Sequence, residues 1–252
     1  MFESLKEKKV LVTGSSTGIG AAIAVLFAHY GAEVGVHYCS SKKDAIRVAN
    51  KINELGAKAH LFQADLTLAS DRDNLIKKFI KIYGGIDVLI NNAGAIYDYK
   101  HFSALTEKSW DKTFALNAKA PFYLMGQVFE YMKRSGGGRI INISTASVKY
   151  GGSLYNIHYC ASKAALDTMT IGFSRAGAQY GILVNSIRCG LIDTPMQDKI
   201  SGYRKGRFKQ RVSLVPLKRA GKPEDIARMA VFLASEGGDF ITGQIFPVSG
   251  GD

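Results

Sequence analysis

Cysteine is scarce in this chain: Cys39, Cys160 and Cys189 are odd in number, far apart and without a CxxC pair. That excludes a disulfide framework and indicates a reducing compartment, with the cytoplasm the expected location. The five histidines have no ligand spacing, so no metal site is expected. No apolar run reaches the roughly 18 residues of a membrane span. The first residues carry Lys6, Lys8 and Lys9 and no apolar h-region, so a secretory signal is not expected. Carboxylates are the other shortage, with 21 Asp/Glu against 33 Lys/Arg. The deficit is local. Residues 121–220 hold 15 basic and 4 acidic side chains, whereas 1–120 hold 16 and 12, and 221–252 hold 2 and 5.

What the chain does have is alternation. Short apolar runs at Val10–Val12, Val34–Tyr38, Ala59–Gln63, Asp87–Asn91, Arg139–Ser144, Leu183–Ile187 and Ile245–Val248 read as strands. Helical patterns lie between them: to about Tyr30, Lys42–Leu55, Ser70–Tyr83 with Ser70 as cap, Thr106–Lys133, Tyr159–Tyr180 and Pro223–Ala234. Such alternation predicts an α/β fold, a doubly wound parallel sheet with helices on both faces. There is no repeat, linker or low-complexity tract, and 252 residues suffice for one core, so a single domain over 1–252 is expected. Ligands bind such sheets at the carboxyl ends of the strands.

The motif that organises the rest is Tyr159-Cys160-Ala161-Ser162-Lys163. On a helix, Tyr159 and Lys163 share a face. An ammonium one turn away is expected to bring the phenol, ordinarily titrating near pH 10, towards working pH. The spacing alone is weak evidence, since Tyr38-Cys39-Ser40-Ser41-Lys42 repeats it at a strand end. The glycine turn Gly14-Ser15-Ser16-Thr17-Gly18-Ile19-Gly20 follows a strand and precedes a helix, the context of a dinucleotide site. Its glycines let the backbone approach a pyrophosphate at a helix N-terminus.

Together, Thr13-Gly14-x-x-x-Gly18-Ile19-Gly20, Asn91-Asn92-Ala93-Gly94, Asn117, Arg139–Ser144 and Tyr159-x-x-x-Lys163 resemble the short-chain dehydrogenase/reductase family. So does the ending, with Pro223-Glu224-Asp225-Ile226-Ala227 and Ile241-Thr242-Gly243-Gln244. The resemblance spans essentially the whole chain. It implies a Rossmann-type domain of seven parallel strands, a nicotinamide cofactor, hydride transfer between a carbonyl and an alcohol, and a homotetramer. By the same resemblance, Tyr159 exchanges the proton, Lys163 tunes it and holds the nicotinamide ribose, and Asn117 holds a relay water. Gly14, Ser16, Thr17, Gly18, Ile19 and Gly20 face the pyrophosphate, and Asp65 and Leu66 the adenine. Asn91, Ala93 and Gly94 line the ribose and nicotinamide side, and Gly190, Ile192 and Thr194 the carboxamide side. Taken alone, Asp65 also reads as a turn-initiating residue, and Asn117 as a locally bonded polar residue.

The sequence departs from the family in three places. Cys189-Gly190 stands for the usual Pro-Gly, and Ser249 for the usual aspartate. The substrate-holding serine, thirteen residues before the tyrosine, would fall on Ala146; counting from the strand gives Thr145 instead, with Ser144 and Ser147 as rivals. After the second strand come Tyr38, Cys39, Ser40, Ser41, Lys42 and Lys43, without a carboxylate to repel a 2′-phosphate, so NADP(H) is preferred, with NAD(H) as second choice.

The expected activity is interconversion of a carbonyl and a secondary alcohol, of the 3-oxoacyl or other ketone reductase type. The alternatives are a sugar or polyol dehydrogenase of the same family and a dinucleotide-binding redox sensor or scaffold. The substrate is a small molecule. A lid at about 191–217, carrying Lys199, Arg204, Lys205, Arg207, Lys209 and Arg211 and broken by Gly202 and Gly206, predicts that it is anionic. The charge shows no nucleic-acid recognition motif, so neither nucleic acid nor membrane is an expected partner.

Overall fold

The computed structural model describes residues 2–199 and 206–252. Its centre is a parallel sheet of seven strands among the described residues, in the order β3-β2-β1-β4-β5-β6-β7. The strands are β1 Lys9–Val12, β2 Glu33–Tyr38, β3 Ala59–Gln63, β4 Val88–Asn91, β5 Gly138–Thr145, β6 Ile182–Cys189 and β7 Ile245–Val248. The order reverses between β1 and β4, opening a crevice at their carboxyl ends.

The short apolar strands are explained by burial on both faces. Side chains alternate across a strand, so Val10, Val12, Val88, Ile90, Ile141 and Ile143 pack into one layer. Leu11, Leu89 and Ile140 pack into the other. The first layer is closed by α1 (Gly18–His29), α2 (Lys42–Glu54) and α8 (Pro223–Ala234). The second is closed by α3 (Ala69–Tyr83), α5 (Ala120–Arg134) and α6 (Ile157–Gly177). Continuous apolar strands are what such two-sided cover requires.

The structure refines the helices in three places. Ser70 does not cap α3; Leu68 precedes the helix without a side-chain bond, and Asp71 in the first turn instead accepts from the Asp65 N–H at 2.8 Å. The long helix after Thr106 is present and unbroken to Arg134, but it widens at one turn. It runs as α4 (Glu107–Phe114), a π turn at Ala115–Lys119, and α5. Pro121 sits in the first turn of α5, where its missing N–H costs little. The lid contains a short helix, α7 (Phe208–Leu214), that periodicity did not show. The Lys199 side chain, Gly202, Arg204 and Lys205 lie outside the described residues.

Candidate active site

The loops after β1, β2, β3, β4, β5 and β6 surround one cavity of about 840 Å³. Its first wall is the turn from β1 into α1. Gly14 has φ +63°, and a Cβ there would lie 2.9 Å from Ala93 Cα, so only glycine lets the turn pass under the β4 loop. Thr17 precedes α1 without a side-chain cap, and the first turn carries no acidic residue. Thr17, Gly18 and Ile19 all line the cavity, so an uncapped, electropositive helix end opens into it. That end fits a pyrophosphate. Gly20 is buried behind the wall; a Cβ there would meet Gly14 O at 2.5 Å.

The turn is held by residues whose part the sequence reading missed. His37 Nδ1 accepts from Gly14 N–H at 2.9 Å, and its Nε2 lies 3.1 Å from Ala64 O. The ring is therefore neutral, with its proton on Nε2. Burial pushes His37 down to about 4. A polar residue inside the otherwise apolar Val34–Tyr38 was the available signal. Asn92 donates through Nδ2 to Thr13 O and Gly14 O, at 2.9 and 3.0 Å. Asn92, Ala93 and Gly94 line the cavity. Asn91 does not: it is buried, and its Nδ2 donates to Asn142 Oδ1 at 2.9 Å, bracing β4 on β5.

At the far end the wall is Tyr38, Ser40 and Ser41 on one side and Asp65 and Leu66 on the other. Lys42 opens α2 as an exposed residue outside this wall. Asp65 Oδ1 accepts from Thr67 N–H at 2.9 Å and Thr67 Oγ1 at 2.7 Å, so its carboxylate also builds the turn.

Near the middle of the cavity, α6 brings Tyr159 and Lys163 to the end of β5. Lys163 Nζ donates to Ile143 O at 2.7 Å. The expected tuning of the tyrosine is overruled by burial. Desolvation pushes Tyr159 above its ordinary range, with smaller contributions from Cys189 and Cys160, and holds Lys163 down to about 8. Ser144, Thr145 and Ser147 all line the cavity. Ser144 is buried and its Oγ lies 3.5 Å from Lys163 O. Thr145 ends β5, and its Oγ1 accepts from Ser147 N–H at 3.3 Å, leaving the hydroxyl proton unspent in that bond.

Asn117 lies in the π turn, fully buried. Its Oδ1 accepts from Ala95 N–H at 3.0 Å, and its Nδ2 donates to Ala95 O and Ser162 Oγ at 2.9 and 3.1 Å. The side chain is thus committed to the β4 loop and α6. Such π turns recur at functional sites because they offset main-chain groups from the helical ladder. Gly94 packs between Asn117 and Lys163: a Cβ there would lie 3.1 Å from Asn117 Oδ1 and 3.3 Å from Lys163 Nζ.

The end of β6 supplies Cys189 to the wall, and the loop after it Gly190, Ile192 and Thr194. Cys189 is buried, and its thiol is pushed up to about 12, chiefly by desolvation, which makes it a packing residue. Beyond it, Arg207, just before α7, and Gln210 and Arg211 within α7 line the same cavity as Tyr97, Tyr99 and Tyr150. The tyrosines were not anticipated; no spacing in the sequence joins them.

One cavity thus holds an uncapped helix end that fits a pyrophosphate, a half-buried tyrosine with its buried lysine, and a hydroxyl at a strand end. A family model described as enoyl-(acyl carrier protein) reductase matches residues 14–252. The galactitol 2-dehydrogenase of Agrobacterium fabrum is 35% identical, over 98% of this chain and 98% of the relative. A 3-oxoacyl-[acyl-carrier-protein] reductase of Staphylococcus aureus is 36% identical, over 97% of each chain. The crystal structure of an angucycline C-6 ketoreductase with bound NADP superposes with TM-score 0.89 at 34% identity, covering 98% of this chain and 96% of that one. The chain belongs to the short-chain dehydrogenase/reductase family, and is an NAD(P)-dependent oxidoreductase.

Proposed function

We propose that this protein reduces a ketone to a secondary alcohol, or runs the reverse reaction, with NADP(H) preferred over NAD(H). The observation that carries this reading is the convergence of Thr145, Tyr159 and Lys163 on the wall of the cavity that begins at the glycine turn. The bound nicotinamide supplies the hydride. The chain's own residues supply position and protons. The Thr145 hydroxyl donates to the substrate oxygen and fixes its orientation. Tyr159, a phenol that is protonated at neutral pH, gives its proton to that oxygen as negative charge develops there. Lys163, mostly ammonium at pH 7 and anchored on Ile143 O, stabilises the phenolate that remains. The main-chain oxygen of Asn117 is our choice for holding the relay water, because the side chain is committed elsewhere.

The preference for NADP(H) rests on the far end of the cavity. Ser40 and Ser41 present hydroxyls there, the run Tyr38–Lys43 holds no carboxylate, and Asp65 is engaged by Thr67. The bound NADP of the ketoreductase relative supports the same choice. Calorimetry is expected to show tighter NADPH than NADH binding, and Ser40→Asp to weaken NADPH by roughly tenfold or more through charge repulsion. Equal affinities would overturn the preference. A screen following NADPH oxidation with 3-oxoacyl thioesters, small ketones and sugars tests the reaction itself. The sugar and polyol reading has support in the galactitol 2-dehydrogenase relative, and NADP⁺ reduction by polyols in the same screen decides it.

The reading also takes residues 1–252 as one domain with its lid at about 191–217, assembled as a homotetramer in the cytoplasm. Light scattering checks the assembly.

A further inference from the structure

On the substrate side the cavity meets three cations among the described residues: Lys112, Arg207 and Arg211. They are not equivalent. Arg211 is neutralised, its Nη2 lying 3.1 Å from Asp252 Oδ2. Lys112 Nζ stands 4.5 Å from the centre of the Tyr97 ring and also acts on the nearby Asp98 carboxylate. Arg207 lies over the Tyr155 ring at 5.4 Å and has no carboxylate partner among the described residues. Tyr155 in turn stacks on Tyr99 at 5.7 Å and 16°, and Tyr99 lines the cavity. A cation over a ring spends none of its N–H donors on it, so the guanidinium fork that matches an oxyanion stays available. An exposed arginine on a short helix is ordinarily a solvated charge of little energetic weight. Here the ring restricts it, and its place at the cavity wall directs it.

We propose that Arg207 is a specificity-determining residue, binding an oxyanion of the substrate, carboxylate or phosphate, at the end remote from the reacting carbonyl. This rests on the carbonyl/alcohol reading of the site. The pyrophosphate and 2′-phosphate of the cofactor are assigned elsewhere, to the turn after β1 and to Ser40 and Ser41. Asp252 leaves Arg211 the weaker attraction, so the selectivity lies with Arg207, which of the two arginines on the cavity wall is the one without a carboxylate partner among the described residues.

The test pairs acetoacetate with its neutral ethyl ester as substrates, in the wild type and in Arg207→Gln. A hydrogen-bonded ion pair at the rim predicts that Arg207→Gln lowers the acid-to-ester ratio of kcat/KM by about 10- to 100-fold, acting through KM. A second readout needs no turnover. Phenylglyoxal labelling of Arg207, read by mass spectrometry, is expected to be slowed by acetoacetate or inorganic phosphate and not by the ester. The anion that protects at lower concentration identifies carboxylate or phosphate as the ligand. Equal use of acid and ester by the wild type, or labelling that neither anion slows, would overturn the proposal while leaving ketone reduction intact. A loss of NADPH affinity in Arg207→Gln that accounts for the whole effect would also overturn it, by assigning Arg207 to the cofactor. Protection by the anion with no ketone reduced would sustain the anion site and sink the reductase reading.

Discussion

Lys163 Nζ donates to the main-chain oxygen of Ile143 at 2.7 Å. That bond ties the middle of the cavity to β5, two residues before Thr145, and fixes the ammonium in a desolvated place. Burial holds Lys163 down to about 8, so it is protonated below that pH and neutral above it. The rate of ketone reduction is therefore expected to fall as pH rises through about 8, since a neutral lysine no longer stabilises the phenolate. A pH profile of kcat/KM checks this. A flat line from about pH 7 to 9.5 would remove Lys163 from the proton chemistry.

Tyr159→Phe deletes one hydroxyl and little volume. Turnover is expected to fall by about 10²–10⁴, the range of a lost general acid. NADPH affinity, measured by fluorescence titration, is expected to stay close to the wild-type value, whereas Lys163→Ala should lower both. Single-turnover hydride transfer at a near-normal rate in Tyr159→Phe would contradict the role.

Thr145→Val keeps shape and removes a donor. Loss of one oxyanion-type hydrogen bond predicts a fall in kcat of about 10²–10³. It also removes the bond to Ser147 N–H that starts the 3₁₀ turn at Ala146–Tyr150, at a cost of about 1 kcal/mol. Ser144→Ala and Ser147→Ala are expected to cost less activity. If Ser147→Ala is the more damaging, the register counted from β5 is wrong.

His37 makes stability depend on acid. The unfolded histidine takes up its proton as pH falls through about 6.5, and the folded one only near 4. Its contribution is complete above the unfolded value and is lost progressively between the two, amounting to about 3 kcal/mol. Urea unfolding is expected to show a larger loss between about pH 7 and 4.5 in the wild type than in His37→Asn. Because Nδ1 receives the Gly14 N–H, protonation would also open the glycine turn, so NADPH affinity should fall over the same range. Parallel losses in wild type and variant would dismiss the histidine.

Much of this was legible in the sequence, for identifiable reasons. Strands such as Val88–Asn91 are apolar on both faces, and glycines at Gly31, Gly56 and Gly84 punctuate the helices, so the alternation survives in one dimension. Tyr159 and Lys163 share one helix, where spacing is geometry. Contacts made across elements were hidden. His37 reaches Gly14 from another strand, Asn91 turns to Asn142 rather than to the cavity, and Tyr99 meets Tyr155 across two loops. The same limit explains the tyrosine's acidity. An ammonium four residues away is visible in the sequence, but the burial that outweighs it is not.

The π turn at Ala115–Lys119 bears on which changes of length the chain can tolerate. The buried positions Ser109, Thr113, Asn117, Pro121 and Met125 recur every four residues, which on a regular α-helix would drift around the axis by about 40° per step. The wider turn absorbs that drift and keeps α5 facing the sheet. Deleting one residue there would close the turn to a regular α-helix and leave Met125, Val128 and Met132 on the core, whereas a deletion in the regular turns of α4 would rotate them by about 100°. A single-residue gap among relatives is therefore tolerated at this turn, at the cost of its main-chain offset beside Asn117, better than in the regular turns of α4 or α5.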